Sequence, residues 1–236
     1  NKRQKGDMGV FNVNDGEVSH IVVTNKLMSI DFSNLGAQVD RVVLSDYTTF
    51  DSMPLELMTP SQDNMSLVFA PTDNRTILTN DLIFTPYIDG KPVEGDLEIE
   101  ATEEPVTITY RAFVCPDSVA TMDTHRCLEF AYTIRPEDYE IDYDINFNGI
   151  SQYVNANSYI DFSWNNKLNR QEKVDQSMKS ARQSRKDAEK FNTNLYFKPT
   201  RDKVDNLRLN VDSDKKVKTT VEWIAYKQQF FCAILV

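Results

Sequence analysis

Three segments, 106–114, 127–134 and 139–147, alternate apolar and polar residues almost without a lapse. That period of two constrains the fold more than anything else in the chain. One face of the first carries Val106, Ile108, Tyr110, Ala112 and Val114, and the second carries Leu128, Phe130, Tyr132 and Ile134. The third sets Tyr139, Ile141, Tyr143, Ile145 and Phe147 against Glu140, Asp142, Asp144 and Asn146. Successive side chains of a strand point to opposite sides, so each segment reads as a half-buried antiparallel strand with one face on a core.

Shorter strand signals precede these, at 20–23, 27–32, 38–44, 66–69, 76–78, 83–86 and 97–101, and others follow at 154–164, 195–198 and 207–211. Gly36 offers a positive-φ position between the second and third strands, and Asp89-Gly90 is a turn pair. Pro54 and Pro60 break the looser stretch 45–64. Residues 1–17 read as a polar lead-in. A dozen or more strands at hairpin spacing predict an all-β protein, a large antiparallel sandwich over 18–218.

The last eighteen residues, TTVEWIAYKQQFFCAILV, change period. Trp223, Tyr226, Phe230 and Ile234 recur at helical spacing, and Ile224, Phe231 and Leu235 widen the face. They predict a C-terminal helix over 219–236 packed on the sandwich. With the apolar run after Phe230, they also suggest a chain cut short of a membrane segment. No window of the chain itself approaches the roughly 20 apolar residues of a span.

A net charge of −10 disfavours nucleic-acid binding, which needs a basic surface, and broad adhesion to anionic lipid. The charge is uneven: 167–190 holds eight basic against four acidic residues. Arg182, Arg185 and Lys186 in that stretch are candidates for docking an acidic partner, and a solvated helix or loop is the plainer reading. Cys115, Cys127 and Cys232 have no metal-ligand spacing; a Cys115–Cys127 bridge is conceivable on a hairpin, with buried thiols the alternative.

Few residues offer catalysis. His20 and His125 are about a hundred positions apart and each adjoins strand residues, the usual place of a structural imidazole. The Glu140, Asp142 and Asp144 row lacks the compact loop that a calcium site needs. No phosphate-cradling loop or hydrolase motif occurs. The residues predict no enzyme, no metal and no cofactor.

Two segments carry a resemblance. Residues 22–47, VVTNKLMSIDFSNLGAQVDRVVLSDY, are similar to the opening of the periplasmic domain of the YidC membrane protein insertase family, with Ala37 where Gly is frequent. Glu222-Trp223-Ile224-Ala225-Tyr226-Lys227-Gln228-Gln229-Phe230-Phe231 resembles that family's Trp-(Val/Ile)-Ala-x-x-Gln-Gln-(Tyr/Phe)-Phe motif, and Asp138-Tyr139 with the strand after it fits the middle of the domain. The resemblance covers most of 18–236.

It implies a β-supersandwich of galactose-mutarotase-like shape with a C-terminal helix against it. It implies a domain facing the periplasm at the inner membrane of a Gram-negative bacterium. The activity it implies is insertion and folding of membrane proteins, alone or with the Sec translocon and SecDF. Partners would be the protein's own transmembrane insertase domain and nascent membrane proteins, with membrane contact only through flanking helices. On that reading Trp223, Tyr226, Gln228, Gln229, Phe230 and Phe231 form the junction helix. The rival is a carbohydrate-binding or aldose-epimerase-like supersandwich; neither His20 nor His125 falls in a mutarotase-like motif.

Overall fold

The computed structural model describes residues 7–60, 65–73, 75–115, 123–155, 158–173, 189, 192–209 and 214–236. Two compact units emerge, one from Asn1–Asp46 with Thr59–Asn165 and the other from Tyr47–Met58 with Asn166–Val236. The strands, in chain order, are β1 (His20–Thr24), β2 (Met28–Ser33), β3 (Gln38–Thr48), β4 (Pro54–Met58), β5 (Met65–Phe69) and β6 (Ile77–Leu78). There follow β7 (Thr85–Ile88), β8 (Lys91–Pro92), β9 (Leu97–Glu100), β10 (Val106–Val114), β11 (Asp123–Ile134) and β12 (Ile141–Asn148). The last are β13 (Asp161–Trp164), β14 (Asn194–Pro199), β15 (Asp205–Arg208), β16 (Val221–Lys227) and β17 (Cys232–Leu235). The all-β expectation holds.

In the first unit β3, β2, β1 and β9 hydrogen-bond in that order, antiparallel except for the parallel pair of β1 and β9. β12, β11, β10, β7 and β8 form a second sheet, antiparallel throughout, and β13, β5 and β6 a small third one. The alternating segments became β10, β11 and β12, and their apolar faces supply much of the core. Ile108, Tyr110, Leu128, Phe130, Tyr132 and Ile134 are all buried.

The two larger sheets face each other across aromatic contacts. Phe32 of β2 lies 4.9 Å from Tyr132 of β11, and the Tyr132 hydroxyl donates to the Ala37 carbonyl at 2.7 Å. Tyr143 stacks on Tyr132 at 4.6 Å. Aromatic burial of this kind contributes both area and oriented ring contacts.

The turns follow their residue types. Asp89 and Gly90 both take positive φ (50° and 74°), as a two-residue hairpin between strands of right-handed twist requires. Gly36 has φ 77°, and a Cβ there would stand 2.8 Å from Asn80 Oδ1. Beyond Asp46, Tyr47, Thr48 and β4 form a hairpin closed by the Thr49 N–H on the Met53 carbonyl at 2.8 Å.

Three sequence expectations are corrected. The lead-in is not merely polar: Met8, Phe11 and Asn14 are buried, and Asn14 donates to the Phe11 and Phe113 carbonyls. Among the described residues of 154–164, Asp161–Trp164 form the strand and Val154 makes an isolated bridge to Pro71. The C-terminal helix is absent; residues 221–227 and 232–235 are β16 and β17 of a four-stranded sheet ordered β15-β14-β16-β17.

The physical reason lies in the partner strand. Val221, Trp223, Ile224 and Tyr226 are β-branched or aromatic and fit a pleated, half-buried surface. A short apolar run satisfies either period until a neighbour decides. Here β14 pairs with β16 from Asn194↔Lys227 to Lys198↔Trp223 and takes up its backbone hydrogen bonds.

Candidate docking surface

The sheet of the second unit has two unlike faces. Direct cross-strand partners share a face, so Leu195, Phe197, Leu207, Ile224, Tyr226 and Leu235 lie together. Phe197 is buried there, with the Lys215 ammonium 5.4 Å from its ring centre. The opposite face carries Tyr196, Lys198, Trp223, Ala225 and Ile234. Trp223 and Tyr226, three residues apart, therefore point to opposite sides, and the aromatic stack expected of a helix does not form.

Trp223 is half-buried opposite Lys198. Tyr226 is half-buried; burial pushes its phenol up, partly offset by a hydrogen bond with the Asn166 backbone. Gln228 to Phe231 make the tight turn between β16 and β17, closed by the Gln228 N–H on the Phe231 carbonyl at 2.8 Å. Gln228 is buried and its side-chain amide donates to the Asn169 carbonyl at 2.5 Å. Gln229 is partly exposed, and Phe230 at the tip is 68% exposed. The structure thus gathers Gln228, Gln229, Phe230 and Phe231 at one turn and leaves Trp223 and Tyr226 on the sheet behind it.

A second turn joins the same unit. Phe231 meets Tyr47 edge-on, ring centres 5.2 Å apart at 81°. Between Tyr47 and β4 the tip exposes Phe50 at 52% and Met53 at 59%. The Thr49 hydroxyl accepts from the Met53 N–H at 3.2 Å and bonds Asp51, and Ser52 takes φ 66°.

Residues 166–173 are tied to both turns. Asn169 accepts from Gln228 as above, and the Gln171 carbonyl accepts the Phe50 N–H at 3.1 Å. Asn166 donates to the Leu57 carbonyl at 3.2 Å, and the Gln171 amide to the Glu56 carbonyl at 3.0 Å. Beneath them the buried Glu189 carboxylate accepts the N–H groups of Gln171 at 2.6 Å and Glu172 at 3.3 Å, and faces Arg170 at 3.4 Å. Gln171 Oε1 is buried without a hydrogen-bond partner among the described residues. Lys167, Arg170 and Lys173 of this segment are exposed.

Charge divides with the units. The segments of the second hold 16 Lys and Arg against 11 Asp and Glu, a net +5; those of the first hold 10 against 25, a net −15. Tyr47, Phe50 and Met53 escaped the sequence reading because they sit among breakers, in a stretch without periodicity. Their spacing to 166–173 exceeds a hundred residues, and no local signal spans that.

Among the described residues elsewhere, no group of His, Cys, Asp or Glu is placed to hold a metal ion. His20 Nδ1 lies 3.0 Å from Asp31 Oδ1 between β1 and β2, and His125 is exposed on β11. Asp142 pairs with Arg135. No disulfide forms among Cys115, Cys127 and Cys232, because the register sets Phe113, not Cys115, opposite Cys127. Arg182, Arg185 and Lys186 lie outside the described residues.

Comparison with known proteins places this architecture. The family model for the YidC periplasmic domain matches residues 20–236. The chain is 26% identical over 223 residues to the membrane protein insertase YidC of Porphyromonas gingivalis, covering 94% of this chain and 30% of that protein. Against the protein of the same name in Parabacteroides distasonis it is 24% identical, covering 100% of this chain and 32% of the relative. Against that of Chloroherpeton thalassium it is again 24%, covering 100% and 36%. The chain spans about a third of the length of the curated relatives it matches. The match runs from the first residue of β1 to the end of the chain, through every strand of both units, and the chain belongs to the YidC periplasmic domain family.

Proposed function

We infer that this chain is the periplasm-facing, non-catalytic part of an inner-membrane protein insertase in a Gram-negative bacterium, and that it docks and positions partners during insertion. The family match over 20–236 carries this reading. The partners proposed are the protein's own transmembrane domain, nascent membrane proteins, and the Sec translocon with SecDF. Insertion itself belongs to the longer protein, since relatives named for that activity are about three times the length of this chain.

The family match supports the non-enzymatic part. A sugar's anomeric centre needs a facing acid and base; among the described residues His20 is engaged by Asp31 and His125 stands exposed on a strand. The family match does not favour the carbohydrate reading, and polarimetry of aldose anomerisation is expected to give the uncatalysed rate.

The docking role is tested by reversing Arg182, Arg185 and Lys186 to Glu in the full-length protein. Co-purification with Sec components and insertion of a model membrane protein are measured together. A several-fold loss of both at unchanged protein level is expected. Full retention of both sinks the docking assignment.

A further inference from the structure

The second unit combines two features that a protein surface seldom shows together. Two turns expose large apolar side chains, Phe50 and Met53 in one and Phe230 in the other, with Tyr47 (44%) on the strand beside the first. Both tips are tied by hydrogen bonds to one segment, 166–173, that exposes Lys167, Arg170 and Lys173. The unit that carries them is net positive within a strongly acidic chain.

Three occupants could cover such a surface. An apolar peptide is bound in a concave groove lined by side chains that alternate or recur to receive it. Here the exposed side chains sit in two separate turns rather than along one strand or helix face. An acidic protein would answer the lysines but leave Phe50, Met53 and Phe230 in water. A bilayer interface satisfies both features, because aromatic side chains settle at headgroup depth while Lys and Arg meet phosphates.

We propose that this surface of the second unit seats on anionic phospholipid, with Tyr47, Phe50, Met53 and Phe230 entering the headgroup–acyl boundary. Lys167 and Lys173 lie among the lipid phosphates, while Arg170 stays paired with Glu189. The tips supply the apolar area, and the segment between them supplies the attraction, about fivefold in partitioning for each basic residue near an anionic leaflet. The proposal rests on the insertase reading only in that a membrane is at hand. It departs from the expectation that flanking helices make the sole membrane contact.

The test uses the full-length protein in nanodiscs of phosphatidylethanolamine and phosphatidylglycerol. Phe50 and Phe230 are replaced in turn by the photocrosslinker benzoylphenylalanine, with Glu94, an exposed residue of the first unit, as the reference position. Lipid adducts at 50 and 230 are expected at about five times the reference level or more. They are expected to fall about 25-fold or more with Lys167→Glu/Lys173→Glu, and likewise in phosphatidylcholine discs. Those two lysines lie outside the Glu189 network, so their reversal leaves its hydrogen bonds in place.

Adducts to the protein's own polypeptide, or to another protein, overturn the proposal. So do lipid adducts at 50 and 230 no more frequent than at 94. Insertion of the model membrane protein is followed in the same discs. Lipid adducts that persist when the Arg182, Arg185 and Lys186 reversals leave insertion intact would defeat the docking reading alone.

Discussion

Tyr47 and Phe231 touch edge to face, 5.2 Å between ring centres, although 184 positions separate them in the chain. The contact joins the β3–β4 hairpin to the β16–β17 turn. A double-mutant cycle with Tyr47→Leu and Phe231→Leu is expected to give a coupling of about 0.5–1.5 kcal/mol, read from denaturant midpoints of the second unit. Strict additivity would remove the ring contact from the account.

Gln228 holds the 166–173 segment from a buried position. Gln228→Leu deletes its bond to the Asn169 carbonyl and leaves that oxygen unpaired, at an expected cost of about 1–3 kcal/mol. Gln229→Leu, at the neighbouring partly exposed position, is expected to cost less than about 0.5 kcal/mol. Equal effects at the two positions would contradict the assignment.

Asn25 does comparable work in the first unit. Its side chain donates to the Arg135 and Asp138 carbonyls at 2.7 and 2.8 Å, and accepts the N–H groups of Leu27 and Met28 at 2.9 Å each. Asn25→Ala is expected to destabilise that unit by about 2–3 kcal/mol. Equilibrium urea unfolding checks it, with Lys26→Ala, which loses only an exposed ion pair to Glu137, as the near-neutral comparison.

Gly36 is constrained twice, by φ 77° and by Asn80, whose backbone Cα would lie 3.2 Å from an added Cβ. Gly36→Ala is expected to cost about 2 kcal/mol or more, combining left-handed strain with the clash. Gly90 has φ 74° but open space, so Gly90→Ala is expected to cost about 1 kcal/mol. Thermal midpoints of the two variants distinguish strain from crowding.

Tyr110, Tyr132 and Tyr143 have phenols held above the ordinary value of 10.0, in each case first of all by burial. A raised folded pKa means that the native state keeps its proton after the unfolded chain has lost it. The stabilisation is whole below about pH 10 and declines as the pH rises from there toward the folded values. Absorbance of tyrosinate at 295 nm should therefore rise cooperatively with loss of secondary structure for these three. Their ionisation in a still-folded protein would overturn the prediction.

How far the sequence could be read depended on the range of the interactions. β10, β11 and β12 were legible because alternation is a local property and their partners are one another. Gly36 and Asp89-Gly90 were legible because few residues accept their backbone angles. Trp223, Tyr226 and Phe230 misled because spacings of three and four imitate a helix, whereas the pairing of β14 with β16 decides the matter from some thirty residues away. The tip at Phe50 and the segment around Gln171 gave no signal, since their significance arises only when residues more than a hundred apart meet. The total charge of −10 likewise concealed a basic unit behind an acidic one.

The second unit is interrupted, its residues 47–58 leaving the ribosome before the whole of 59–165. The bonds from Gln171 to Glu56 and from Asn166 to Leu57 close loops of 115 and 109 residues. At about 5–20 residues per second, the hairpin waits roughly 5–20 s for the polypeptide that completes it. The first unit is itself complete only at residue 165, so through that interval both units are unfinished, and Tyr47 waits longer still, for Phe231. Assembly of the second unit is thus staged by the order of synthesis, its first hairpin made long before the strands it joins.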